Sequence, residues 1–242
     1  MNINQTLEKL SAMKLYGMQN ALQTSVETKS EHTPDELIHY LVKSEWNERQ
    51  TRKINRYIKD AGFRYQASVE EIKFSADRNL DKNMVVRVCD CSFIDRRENV
   101  LITGATGTGK SFVASAIGHQ ACIKGYKVLY ASAGKLFSRL KMSKADGSYY
   151  KEINRIARQD VIIIDDFGLH PMDQEAKLAM LEIIEDRHGM KSTVIATQIP
   201  VSAWYDLIQE QTIADAILDR VIHHAHRIEL KGESMRKIIM KK

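Results

Sequence analysis

The chain has 242 residues, 36 of them lysine or arginine against 31 aspartates and glutamates, a net charge of +5, and 43% hydrophobic with 28% charged residues. That suits one large globular domain or a domain with a small appendage, and excludes a disordered or collagen-like chain. No apolar run is long enough to span a bilayer, M-N-I-N-Q-T-L-E-K-L is no secretory signal, and three cysteines without metal-ligand spacing (Cys89, Cys91, Cys122) read as reduced thiols, so the expectation is a cytoplasmic protein with no membrane partner.

Residues 4 to 26 place Leu7, Leu10, Met13 or Lys14, Met18 and Leu22 at roughly helical spacing, with a break in register near Gly17. Thr33-Pro34-Asp35-Glu36 is a helix start, with a capping threonine, proline at the first helical position and a glutamate that closes a capping box. The long helix that follows is expected to end near Gly62. On it Arg49, Arg52, Lys53 and Arg56 fall at i, i+3, i+4 and i+7 and share one face. From Arg49 to Arg64 six basic residues face a single acid, Asp60, so this face is either solvated or a polyanion contact. Residues 65 to 98 read as a transition with a short helix or turns. The expected division is a helical DNA- or partner-binding domain over 1–70 and a nucleotide-binding domain over 71–242. Phe93, Ile94 and Arg96, just before the next strand, are candidates for the adenine pocket.

Val100-Leu101-Ile102 is a short strand, and G-A-T-G-T-G-K-S then matches G-x-x-x-x-G-K-[ST], the phosphate-binding loop. Glycines 104, 107 and 109 let consecutive N–H groups turn into one concavity at the positive end of a helix. The expected phosphate cradle is Gly104, Ala105, Thr106, Gly107, Thr108, Gly109, Lys110, Ser111 and Phe112. Lys110 would reach the β and γ phosphates of ATP, and the Ser111 hydroxyl would ligate Mg²⁺.

Beyond the helix from Lys110 to Lys124, K-V-L-Y-A makes a second strand. Two basic helical segments follow, around Lys135 to Lys141 and Tyr149 to Arg158, separated by an Asp146-Gly147 turn. From Lys124 to Arg158 nine basic residues stand against two acids, and from Arg227 to Lys242 six stand against two. Such segregated charge suggests nucleic acid as partner, with Arg49, Arg52, Lys53, Arg56, Lys135, Arg139, Lys141 and Lys144 as its contacts. Val161 to Ile164 is a buried parallel strand ending in Asp165 and Asp166, where such sheets bind ligands. Asp165 is placed to hold Mg²⁺ opposite Ser111, and Asp166 to orient the attacking water. Gln174 to His188 reads as an amphipathic helix with Leu178, Leu181 and Ile184 inward and Glu182, Glu185 and Arg187 outward. The strand Ser192 to Gln198 closes on Gln198, which would touch the γ phosphate or the water. A helix over Thr212–His223 and a strand Arg227–Leu230 complete the domain. The run H-H-A-H offers no metal-ligand partners nearby and reads as solvated or core histidines.

Phosphate loop, intervening strand, an acidic strand with D-D where D-E is usual, and a polar residue closing the next strand resemble the AAA+ ATPases. More closely, I-I-I-D-D-F-G, A-T-Q-I-P-V-S-A-W, I-A-D-A-I-L-D-R-V and R-I-E-L-K-G-E-S-M-R-K resemble the IstB family of insertion-sequence transposition helpers, similar in turn to DnaC-type helicase loaders. Together with the phosphate loop these segments cover residues 93 to 237, and the last two are the most specific to IstB.

The resemblance implies an α/β fold: an AAA+ P-loop NTPase with a parallel β-sheet sandwiched by helices, preceded by a small all-α domain. It implies a homo-oligomer with ATP at subunit interfaces, which deforms duplex DNA of little sequence preference and delivers it to an IstA-like transposase. Arg220 matches the family's arginine finger and would reach a neighbour's γ phosphate; the alternative is a surface arginine paired with Asp219 or Asp215. Arg236 in G-E-S-M-R would contact phosphate within its own subunit. The sequence departs from the AAA+ pattern twice. Asp166 is one methylene shorter than the usual glutamate, implying slow hydrolysis, and the chain ends too soon after residue 230 for a helical lid. A DnaC-type helicase loader is the first rival, and a small-molecule kinase built on the same loop is the second.

Overall fold

The computed structural model describes residues 2–74 and 78–235. The chain divides into two compact units, residues 1–56 and 57–242.

The first unit is helical: α1 (Ile3–Ala12), α2 (Tyr16–Glu27) and the greater part of α3 (Pro34–Ala61). The break between α1 and α2 falls at Lys14, whose backbone is left-handed with φ 58°. Gly17 is one turn further on, and the reason for a glycine there is proximity. A Cβ at that position would lie 2.5 Å from the carbonyl oxygen of Ser44 in α3. The approach lets Glu45 of α3 cap α2: its buried carboxylate accepts the N–H of Gly17 at 2.8 Å and of Met18 at 3.3 Å, satisfying donors with no partner inside their own helix. Burial alone would raise the pKa of Glu45, but Arg49 and the two N–H groups outweigh it and hold the carboxyl below its ordinary value. The capping box at the start of α3 is present, with the Thr33 N–H donating to Glu36 Oε2 at 2.8 Å and the Glu36 N–H to Thr33 Oγ1 at 3.4 Å. The helix stops at Ala61, before the left-handed Gly62.

The second unit begins with the last turn of α3 (57–61), then α4 (Lys82–Cys89) and α5 (Ser92–Asp95). Next come β1 (Asn99–Gly104), α6 (Lys110–Ile123), β2 (Val128–Ser132), α7 (Ala133–Ala145), α8 (Tyr149–Ala157), β3 (Val161–Phe167), α9 (Gln174–Arg187) and β4 (Ser192–Thr197). After a 3-10 turn over Val201–Ala203 the chain forms α10 (Trp204–Ile208), α11 (Gln211–Ile222) and β5 (Ala225–Leu230). The five strands are all parallel, in the order β2-β3-β4-β1-β5.

Alternation along the strands makes two cores. Val100, Ile102, Val161, Ile163, Val194 and Ala196 face one side, with α4 and α6; Leu101, Ile162, Ile164 and Ile195 face the other, with α7, α8, α9 and α11. The sheet is therefore the middle layer of a sandwich, and its strands are continuously apolar because both faces are covered.

The register of α9 differs from the amphipathic reading. Its buried residues are Ala176, Ala179, Met180, Ile183, Ile184 and Arg187, while Leu178 is exposed. Arg187, expected to face out, is 1% exposed and donates to the carbonyl oxygens of Ile156, Gln159, Asp160 and Ser192 at 2.6–3.3 Å. A guanidinium has enough donors to tie together the starts of β3 and β4, and this offsets its burial, which lowers its pKa to about 10. Among the described residues no helix is long and apolar enough to cross a membrane. The three cysteines are free, buried thiols; burial pushes the Cys89 and Cys122 thiols up to about 12 and leaves them unreactive.

Candidate active site

The site forms at the carboxyl ends of β1, β3 and β4. β1 ends at Gly104, with φ 150°, where a Cβ would lie 2.3 Å from the carbonyl oxygen of Leu230 at the end of β5; only glycine allows the two strands to finish that close. The loop then turns into α6, whose first residue is Lys110. Within it the Thr108 hydroxyl donates to the carbonyl of Ala105 at 2.9 Å, and Lys110 Nζ donates to the same oxygen at 2.8 Å. Lys110 is 6% exposed; burial lowers its pKa, and the charges of Asp165 and Asp166 work against that shift.

Asp165 and Asp166 leave β3 where its register with β4 is interrupted, between Ile164 and Phe167. Asp165 remains in the sheet and is completely buried. Its Oδ2 accepts the hydroxyl of Tyr130 from β2, and its Oδ1 has no hydrogen-bond partner. Burial, then the bond to Asp165, raises the Tyr130 pKa, so the tyrosine stays a donor. Asp166 turns outward on a left-handed backbone, φ 56°, a conformation expensive for a non-glycine residue and characteristic of functional positions. Its Oδ2 accepts Arg64 Nη1 at 2.9 Å, and the same nitrogen lies 3.7 Å from Asp165 Oδ2. Gln198, one residue past β4, accepts the Thr106 hydroxyl through Oε1 and so reaches the phosphate loop.

These groups surround a cavity of about 280 Å³ lined by Thr106, Gly107, Gly109, Lys110, Ser111, Phe112, Asp166 and Gln198, together with Arg64, Tyr65, Glu71, Lys73, Arg78 and Met235. The second set was not foreseen from the sequence. Tyr65 and Phe112 form an apolar wall with ring centroids 6.2 Å apart. Arg78 is buried under the loop and donates to the carbonyl of Thr108 at 2.7 Å. Phe93 and Ile94, expected at the adenine, are instead buried in the core beside α4 and α6, and Arg96 is paired with Glu98 at 3.0 Å. Met235 donates its N–H to the carbonyl of Gly107 at 2.9 Å. Arg236 lies outside the described residues.

A buried carboxylate oxygen without a donor is costly unless a cation meets it. Asp165 Oδ1 is such an oxygen, and the hard oxygen donors of Asp165 and Ser111 suit Mg²⁺.

A sequence model of the family described as "IstB-like ATP binding protein" matches residues 8–242. The chain belongs to that family. An insertion sequence ATP-binding protein of Sinorhizobium fredii is 39% identical over 234 residues, 96% of each chain. The IS21 ATP-binding protein of Pseudomonas aeruginosa is 26% identical over 229 residues, covering 94% of this chain and 86% of its own. Among solved structures, DnaI aligns with a TM-score of 0.60 at 18% identity, over 73% of this chain and 94% of its own. DnaA from Aquifex aeolicus aligns with a TM-score of 0.59 at 19% identity, over 74% and 55%. At such identities the likeness establishes the fold, that of the AAA+ P-loop proteins with the expected parallel sheet between helices. The IstB resemblance read from the motifs is thereby confirmed.

The remaining candidates lie apart from the cavity. Arg220 is near the end of α11, and its carbonyl accepts from Asn99 Nδ2 at 3.0 Å, which places it at the opposite end of β1 from Gly104. Its guanidinium meets Glu185 at 3.2 Å and the carbonyl of Ala216 at 2.9 Å. It pairs with neither Asp219, which holds His223 at 3.0 Å, nor Asp215, which takes the Tyr205 hydroxyl at 2.7 Å. His226 pairs with Glu98 at 2.8 Å.

Lys135, Arg139, Lys141 and Lys144 are exposed on α7. Lys141 is held by Asp173 and Glu175 at 2.9 and 3.1 Å, and Lys144 lies 5.0 Å from the ring centre of Tyr149. In the first unit Arg49, Arg52, Lys53, Arg56 and Lys14 line one shallow groove. The face is less purely basic than the count from Arg49 suggests, because acids one turn earlier reach it. Glu45 meets Arg49 at 2.7 Å and Arg52 at 3.7 Å, and Glu48 meets Arg52 at 3.3 Å.

Proposed function

We propose that the chain is a Mg²⁺-dependent, DNA-stimulated ATPase that assembles with copies of itself on duplex DNA, deforms it and presents it to the transposase of an insertion sequence. What carries the reading is the convergence of Lys110, Ser111, Asp166 and Gln198 on one cavity beside Asp165, with Arg220 at the far end of β1. The loop N–H groups and Lys110 bind the phosphates, and the wall of Tyr65 and Phe112 takes the base. Mg²⁺, held by Ser111 and Asp165, would supply charge neutralisation for the terminal phosphates. Asp166 accepts a proton from the attacking water, and Gln198 orients that water. Arg220 has no access to its own subunit's phosphates and serves the neighbour's, where a permanent charge and planar fork suit a transferring phosphoryl group.

DNA contacts fall to Lys135, Arg139, Lys141 and Lys144 and to the groove of Arg49, Arg52, Lys53 and Arg56. Such contacts go to phosphates, so they position the protein without reading sequence. The relatives are named as insertion sequence ATP-binding proteins, which favours transposition over helicase loading; the DnaI and DnaC likeness is one of fold. The test is a gel shift at one fixed salt concentration with duplex and single-stranded DNA, with ATP, a non-hydrolysable analogue or no nucleotide. Duplex preference together with analogue-stabilised retention is expected. Preference for single strands, or retention indifferent to nucleotide, overturns the reading.

A further inference from the structure

Arg64 follows α3 by three residues and belongs to no recognised motif, yet its guanidinium holds the acidic end of β3. It is 2.9 Å from Asp166 Oδ2 and 3.7 Å from Asp165 Oδ2, and it lines the cavity with Lys110, Thr106 and Gln198. We propose that Arg64 is a latch on Asp166 that the terminal phosphate of a nucleoside triphosphate opens by taking the guanidinium for itself. This rests on the reading of the cavity as an ATP site and adds to it how that site separates ATP from ADP.

The chemistry follows from what each partner offers. While Arg64 Nη1 donates to Asp166 Oδ2, that oxygen is occupied and is not free to accept from a water. The arginine is the mobile partner: its side chain is 43% exposed, and a pair so open to water costs little to exchange. A terminal phosphate presents several oxygens and more charge than one carboxylate, and a planar fork meets it bidentately. ADP has no such group within the pocket and leaves the latch closed. Asp165 gives up the longer 3.7 Å contact in the exchange, and its Oδ2 keeps the Tyr130 hydroxyl.

The experiment is a titration of the full chain with fluorescent ATP and ADP analogues in the presence of Mg²⁺, comparing wild type, Arg64→Gln, Arg64→Lys and Asp166→Asn. Circular dichroism confirms that each variant is folded. Arg64→Gln should weaken ATP about tenfold or more, the worth of one charge-assisted hydrogen bond, and change ADP by less than about twofold. Arg64→Lys, which keeps the charge and loses the fork, should fall between. Asp166→Asn removes the competing partner, so it should tighten ATP a few-fold with Arg64 present and not in the Arg64→Gln background, whereas loss of a repelling charge alone would tighten ATP equally in both and overturn the latch. Equal losses for both nucleotides in Arg64→Gln, or an unchanged ratio, overturn the latch and leave the ATP site standing. A wild-type chain that binds neither nucleotide overturns the ATP reading and the latch together.

Discussion

The two ends of β1 are built on opposite principles. At its carboxyl end, Lys110, Thr108 and Arg78 are buried and held to the loop's own carbonyls, and Asp165 is anchored by Tyr130 before any ligand is considered. At its amino end, Arg220 is held by a glutamate whose side chain is 49% exposed. Buried groups held by such bonds are costly to re-pair, whereas a surface ion pair is worth ~0–1 kcal/mol and is readily exchanged. One end is held by buried bonds; the other holds its cation by a pair that exchanges readily.

The largest expected effect separates the ends directly. Lys110→Ala should reduce nucleotide affinity by about a hundredfold or more in a calorimetric titration, since it removes the buried charge facing the phosphates. Arg220→Ala should leave that affinity within about twofold and lower DNA-stimulated phosphate release by ~10³ or more, as for arginines that stabilise a transferring phosphoryl group. Equal loss of binding in both variants would put Arg220 at its own subunit's nucleotide and erase the contrast.

A smaller effect tests the pre-organised end. Tyr130→Phe removes the donor to Asp165 Oδ2 and leaves a buried carboxylate with less support, at a cost of about 1–3 kcal/mol. The thermal midpoint should fall, and the Mg²⁺ concentration needed for half-maximal hydrolysis should rise. An unchanged midpoint would mean that Asp165 needs no anchor. The smallest effect belongs to the exposed end: Glu185→Ala should change stability by less than about 0.5 kcal/mol in a denaturant titration. A loss of several times that would show that the Glu185 pair locks Arg220 in place.

Legibility from sequence followed contact distance along the chain. The phosphate loop is a local pattern, and β3 and β4 are continuous apolar runs because both faces of the sheet are covered, so both were visible. Arg64 and Asp166 are separated by 102 positions, Tyr130 and Asp165 by 35, and Arg78 and Thr108 by 30; no periodicity brings such partners together. The short helix expected somewhere in 65–98 includes α4, whose valines favour strands but whose start is set by Asp81, whose side chain accepts the N–H of Asn83 at 2.8 Å. Arg187 was misplaced because an arginine on an amphipathic pattern defaults to solvent, and only the fold reveals the carbonyls that call it inward. Glu45 lies one turn before the basic run, and its carboxylate serves α2 and two arginines at once.

The phosphate loop is also clasped from both sides of the chain. Arg78 reaches the carbonyl of Thr108 from before β1, and on the far side Lys231 donates its N–H to Arg78 and Met235 to Gly107, while Gly104 sits against Leu230. The most local motif in the sequence is thus shaped by contacts that span more than a hundred residues. Such contacts bear the full loop-closure entropy and form late in folding. During synthesis, the signature residues emerge more than a hundred residues before Leu230, Lys231 and Met235, so the loop takes this shape only once β5 and the residues after it have followed.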